Sequence, residues 1–129
     1  MILGIGTDLL KINRLSKVIQ KNPSVLKRLF TSEEILCAEK LPPLKRKAYY
    51  AKRFSGKEAI SKACGTGIGK NIGWLDMEIL NDKKGKPVVQ FSPKAFQFLQ
   101  KKFKTKEVFC FLSLTDETEY AMAFVVLTN

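Results

Sequence analysis

The chain has 129 residues, enough for one domain with a real core, and 45% of them are hydrophobic, which argues against disorder. Lys and Arg outnumber Asp and Glu by 23 to 12, so the surface should attract anionic partners: nucleic acid, acidic lipid, an acidic protein or a phosphorylated metabolite. There is no histidine, which excludes Ser-His-Asp chemistry and histidine-ligated zinc and leaves carboxylates, lysine, tyrosine, cysteine or water as acid or base.

In chain order, residues 2–8 read as a strand ending at Asp8, with Gly4 and Gly6 permitting close approach of another backbone. A helix is expected over 11–21 with Leu15, Val18 and Ile19 on one face, and Asn22-Pro23 should open a short second one. Thr31-Ser32-Glu33-Glu34 is a capping-box pattern for a third helix, and 44–64 should form a long fourth helix stopped by GTGIG at 65–69. Residues 75–80 and 87–91 read as a hairpin, Ser92-Pro93 as the start of a helix to about 102, and 107–115 and 119–127 as the last strands. The sum is a single α+β domain over 1–129 with an antiparallel sheet and a long basic helix.

Cys37, Cys64 and Cys110 have no metal-ligand spacing and read as buried thiols in a reducing compartment. No apolar run approaches the ~20 residues of a membrane span, and the N-terminus lacks the basic start of a signal peptide, so a cytoplasmic protein is expected.

Between Lys40 and Lys62 eight basic residues surround one acid, Glu58. A carboxylate on a lysine-rich helix, with another at a strand end, suits a Mg²⁺–diphosphate site, where the metal takes hard oxygen ligands and cations hold the remaining phosphate charge. Plainer readings exist for both acids. Glu58 and Lys62 could form an i,i+4 surface pair worth ~0.3–0.5 kcal/mol, and Asp8 could cap the following helix. Spacing does not bring Asp8 beside Glu58. The aromatics Tyr49, Tyr50 and Phe54 among lysines also allow a nucleic-acid-binding module.

GIGTDLLKINR at 4–14, RLFTSEE at 28–34, KRFSGKEAISKACGTGIG at 52–69, KGKP at 84–87 and SLTDETEYAMAFVVL at 113–127 follow one another at separations that closely resemble the holo-[acyl-carrier-protein] synthases, the small bacterial 4′-phosphopantetheinyl transferases. The likeness covers nearly the whole chain, and F-x-x-KEA-x-x-KA-x-GTG after a G-I-G-x-D strand is a specific signature. It implies transfer of phosphopantetheine from coenzyme A to a serine of apo-acyl carrier protein, with release of adenosine 3′,5′-bisphosphate, in fatty acid synthesis. Asp8 and Glu58 then match the Mg²⁺ ligands, and Lys62 the lysine beside the diphosphate. Arg53 and Lys57 match the segment lining the coenzyme A phosphates, and Gly65, Thr66 and Gly67 the loop that approaches it. Arg14, with Lys17, Lys21 and Arg28, matches the face that meets the acidic carrier protein. A homotrimer with shared active sites, and no nucleic-acid partner, are also implied.

One position departs. Where the family reads S-L-S-H-E, this chain has Ser113-Leu114-Thr115-Asp116-Glu117. A carboxylate near a phosphate would be repulsive, so Asp116 is expected to serve the turn; the alternatives are compensation by another basic residue or weakened coenzyme A binding. A member that binds without turnover is the rival reading this departure raises.

Overall fold

In the computed structural model, which describes residues 1–129, β1 (Ile2–Lys11), α1 (Ile12–Lys21), α2 (Val25–Leu29), α3 (Ser32–Glu39) and α4 (Pro43–Ala63) make up the first half. A single 3₁₀ turn (Trp74–Asp76) leads into β2 (Met77–Asn81), β3 (Pro87–Phe91), α5 (Pro93–Phe103), β4 (Phe109–Asp116) and β5 (Tyr120–Thr128). The strands form two antiparallel sheets, β1-β5-β4 and β2-β3, where one sheet was expected. No helix is long and apolar enough to cross a membrane.

The helix α4 organises the chain. Its first half packs Tyr49, Tyr50 and Ala51 against Ile12, Leu15, Val25, Leu29, Phe30 and Ala38 of the three preceding helices. Its second half packs Ala59, Ile60 and Ala63 against Leu99 of α5, Ile79 of β2 and the inner face of β5, where Ala123, Val125 and Leu127 point. Small residues on both surfaces let helix and sheet approach closely. At Gly4 and Gly6 contact is tightest: a Cβ there would overlap the carbonyl oxygens of Ala63 and Ala59.

Strand alternation gives the three-stranded sheet two different faces. Asp8, Ala123 and Leu114 lie in one cross-strand row on the helix side, while Ile5, Leu9, Phe109, Phe111, Met122 and Phe124 stand on the other side, 40–66% exposed.

The Thr31 capping box is present, with Thr31 N donating to Glu34 Oε1 at 2.8 Å and Glu34 N to Thr31 Oγ1 at 3.3 Å. Two boundaries differ from expectation. β1 continues three residues past Asp8, because Leu9, Leu10 and Lys11 still pair with Met122, Ala121 and Tyr120. Asn22 ends α1 instead of opening α2, whose cap position is Ser24.

Candidate active site

Asp8 projects from the middle of β1 onto α4. Helix α1 begins at Ile12 with Lys11 at its cap, so Asp8 is not an N-cap. On α4, Ser55, Glu58 and Lys62 share one face at 3.6 residues per turn, and that face meets Asp8. Lys62 Nζ donates to Thr7 O at 3.0 Å and to Asp8 Oδ1 at 3.3 Å, and does not pair with Glu58. Ser55 Oγ lies 3.0 Å from Asp8 Oδ2 and 2.9 Å from Asp8 O. Burial pushes the Glu58 carboxyl above the ordinary glutamate range, and the Asp8 charge pushes it further, with Lys62 opposing.

Two carboxylates therefore lie close together beside one exposed lysine. No cluster of three or more His, Cys, Asp or Glu exists. This donor set fits Mg²⁺, which binds through one or two carboxylates and keeps its other positions for water and phosphate oxygens. The Glu58 carboxylate accepts no hydrogen bond from the chain, and its elevated affinity for a proton is what an adjacent cation would relieve.

Arg53 and Lys57 correct the expectation that they line a phosphate. They sit about half a turn around α4 from the Ser55–Glu58–Lys62 face and point inward. Arg53, 3% exposed, donates to Ile79 O and Asn81 Oδ1 and lies over the Tyr49 ring. Lys57 is fully buried, its Nζ 2.6 Å from Glu34 Oε1 and 2.8 Å from Leu29 O. Glu34 completes this knot by accepting from Ile79 N at 2.9 Å, which ties α3, α4 and β2 together. The burial pushes the Lys57 ammonium below the usual lysine range.

The amides expected to approach an anion at Gly65-Thr66-Gly67 are already bonded. Gly65 N donates to Lys62 O, and Thr66 N and Gly67 N both donate to Ser61 O, closing the helix. Gly65 and Gly67 adopt φ of +74° and +66°, and Thr66 supplies the one side chain of this tight, exposed exit.

Asp116 corrects the expectation that it serves the turn. It ends β4 on the helix side of the sheet, and its Oδ1 pairs with Lys52 Nζ of α4. Glu117 holds the turn instead, accepting from Glu119 N and Tyr120 N. Arg14, Lys17 and Lys21 line one exposed face of α1 together with Val18, and Arg28 is exposed on α2; none forms an ion pair. Tyr49 and Tyr50 are buried, and Phe54 is stacked on Trp74 at 4.7 Å, so these aromatics are core residues and do not form a stacking platform.

Sequence reasoning missed Ser55, Lys52 and the buried partnership of Glu34 with Lys57. The capping box pointed to Glu34 but not to a second partner; Ser55 offered only a hydroxyl one turn before Glu58.

The model for the 4′-phosphopantetheinyl transferase superfamily matches residues 4–125. A holo-[acyl-carrier-protein] synthase of Pelagibacter ubique is 43% identical over 126 residues, covering 98% of this chain and 96% of that protein. One from Bacillus cytotoxicus is 42% identical over 129 residues, covering 100% and 98%. Among solved structures, the Neisseria meningitidis synthase superposes with a TM-score of 0.89 at 35% identity over the full length of both chains. The Bacillus anthracis enzyme, in complex with CoA (3′,5′-ADP), superposes with a TM-score of 0.82 at 38% identity, covering 98% of this chain and 96% of that one.

Proposed function

Because the chain belongs to the 4′-phosphopantetheinyl transferase superfamily, among its holo-[acyl-carrier-protein] synthases, we propose that the domain of residues 1–129 moves 4′-phosphopantetheine from coenzyme A to a serine of apo-acyl carrier protein. The reaction is Mg²⁺-dependent, releases adenosine 3′,5′-bisphosphate, and serves fatty acid synthesis in the cytoplasm. The observation that carries this reading is the convergence of Asp8 and Glu58 beside Lys62.

Asp8 and Glu58 would hold Mg²⁺, which when bound withdraws charge from the diphosphate. Lys62 has a 54% exposed side chain held by Thr7 O at 3.0 Å and by a longer contact to Asp8 Oδ1, and by giving up these contacts it turns onto a phosphate oxygen and balances the charge left on the bisphosphate. The Glu58 carboxylate, or a water it holds, takes the serine proton, since no histidine is present to do so. The half-buried setting of Glu58 restricts competing water at that position.

The exposed row of Arg14, Lys17 and Lys21 on α1, with Arg28 beside it, supports docking of an acidic carrier protein, and such an encounter weakens with salt. The apolar outer face of the three-stranded sheet supports association of identical chains, in the homotrimer the family resemblance implies, with active sites shared between neighbours. Nucleic acid is not expected as a partner.

The test is mass spectrometry of apo-acyl carrier protein after incubation with this protein, coenzyme A and Mg²⁺. The carrier should gain one phosphopantetheine group, and a chelator should prevent it. No gain with folded protein and a competent carrier would overturn the proposed turnover.

A further inference from the structure

Serines inside helices usually turn their hydroxyl back onto their own helix. Ser16 does so, 3.1 Å from Ile12 O, and Ser61 does so, 2.7 Å from Glu58 O. Ser55 does not. Its hydroxyl leaves α4 and reaches β1, where it meets Asp8 twice, at the carbonyl and at Oδ2. Ser55 is fully buried, so no water competes for this contact.

The two oxygens of Asp8 are therefore held differently. Oδ1 faces Lys62, whose side chain is more than half exposed and whose contact is 3.3 Å. Oδ2 faces Ser55, which is buried and short-armed. A lysine that turns toward a phosphate releases Oδ1, and Ser55 then remains as the one side chain fixing the carboxylate. The signature F-x-x-KEA does not name this position, so the motif alone does not predict the contact.

We propose that Ser55 is a positioning residue for the metal carboxylate: its hydroxyl holds Asp8 Oδ2, so that Oδ1 is the oxygen presented between Glu58 and Lys62. This rests on the reading of Asp8 as a Mg²⁺ ligand. Hydrogen bonds to a metal-binding carboxylate fix its orientation, and their removal typically weakens metal binding about 10–100-fold. Without Ser55, Asp8 keeps its place in the strand but loses the orientation of its carboxylate.

The experiment is a Mn²⁺ titration followed by loss of the free-ion EPR signal, with saturating coenzyme A and a coenzyme-A-only blank. It compares wild type with Ser55→Ala, Asp8→Ala and Ser16→Ala. Ala forms helix better than Ser and fits the same space, so Ser55→Ala folds, which its melting curve without metal checks. Wild type should bind Mn²⁺ and Asp8→Ala should not. Ser55→Ala should bind about ten-fold more weakly or worse, with KM for metal rising more than KM for coenzyme A. Ser16→Ala, which removes the same group from another helix, should match wild type. Wild-type binding with unchanged affinity in Ser55→Ala would overturn this inference alone. Equal binding by wild type and Asp8→Ala would overturn the metal assignment, and this inference with it.

Discussion

Lys52 Nζ lies 3.1 Å from Asp116 Oδ1, joining the middle of α4 to the last residue of β4. A charge that would repel phosphate is thereby neutralised by a lysine on the neighbouring element. Both side chains are roughly a third exposed or less, so the pair contributes little to stability, about 0–1 kcal/mol. Lys52→Ala should therefore leave thermal unfolding nearly unchanged. Under the proposed function it should raise the KM for coenzyme A several-fold, and Lys52→Ala/Asp116→His should recover most of that loss. Steady-state kinetics with coenzyme A as the varied substrate decides it; an unchanged KM would separate this pair from the coenzyme site.

Glu58 sets function against stability. Its carboxyl is pushed up by burial and by Asp8, so its protonated form contributes stability that is present at low pH and lost as pH rises through the raised value. Glu58→Gln removes that loss. Metal-free Glu58→Gln should melt a degree or two higher than wild type at neutral pH, and the difference should vanish at pH below the ordinary glutamate range. Transfer activity should fall about 100-fold or more in Glu58→Gln and in Asp8→Ala. Melting curves over a pH series, paired with turnover assays, check both halves.

Glu34 and Lys57 are both fully buried, so removing either leaves the other charge without its partner. Lys57→Met or Glu34→Gln should destabilise by about 3–5 kcal/mol, and Glu34→Met/Lys57→Met should recover much of it. Urea unfolding measures each; equal losses in single and double variants would contradict the coupling.

Gly6→Ala places a methyl group on the Ala59 carbonyl and must lift β1 from α4. A stability loss of about 1–3 kcal/mol is expected. Activity should fall beyond what unfolding explains, because Asp8 lies two residues further along the same strand. Comparing turnover at a temperature where the variant is fully folded tests this.

Cys64 is buried and its thiol is pushed up to about 12 by burial; the Cys110 thiol is raised to about 12 by burial as well. Both should resist alkylation at pH 8 in the native protein and react once it is unfolded. Peptide mapping after iodoacetamide treatment reads this directly.

The order of helices and strands was legible because its signals are local: the Thr31 capping box, the glycine exit after α4 and the alternation of β4 and β5. The motif singled out Asp8, Glu58 and Lys62, while their convergence depends on β1 lying against α4, a contact between residues about fifty positions apart. Arg53 and Lys57 were misplaced for a related reason. A run of basic residues does not say which side of a helix faces water, and here half a turn separates a lysine beside Asp8 from one fixed to Glu34. Ser55 and Lys52 carry no pattern at all; only the cross-element geometry gives them partners.

For anyone engineering this chain, β1 is the segment with the least latitude. Its even positions carry Gly4, Gly6 and Asp8 against the helix, and its odd positions carry Ile5 and Leu9 on the opposite side. An insertion or deletion of one residue would exchange the two sets, burying a leucine where a carboxylate belongs and placing side chains where only hydrogen fits. Whatever else is changed, this strand has to be kept whole.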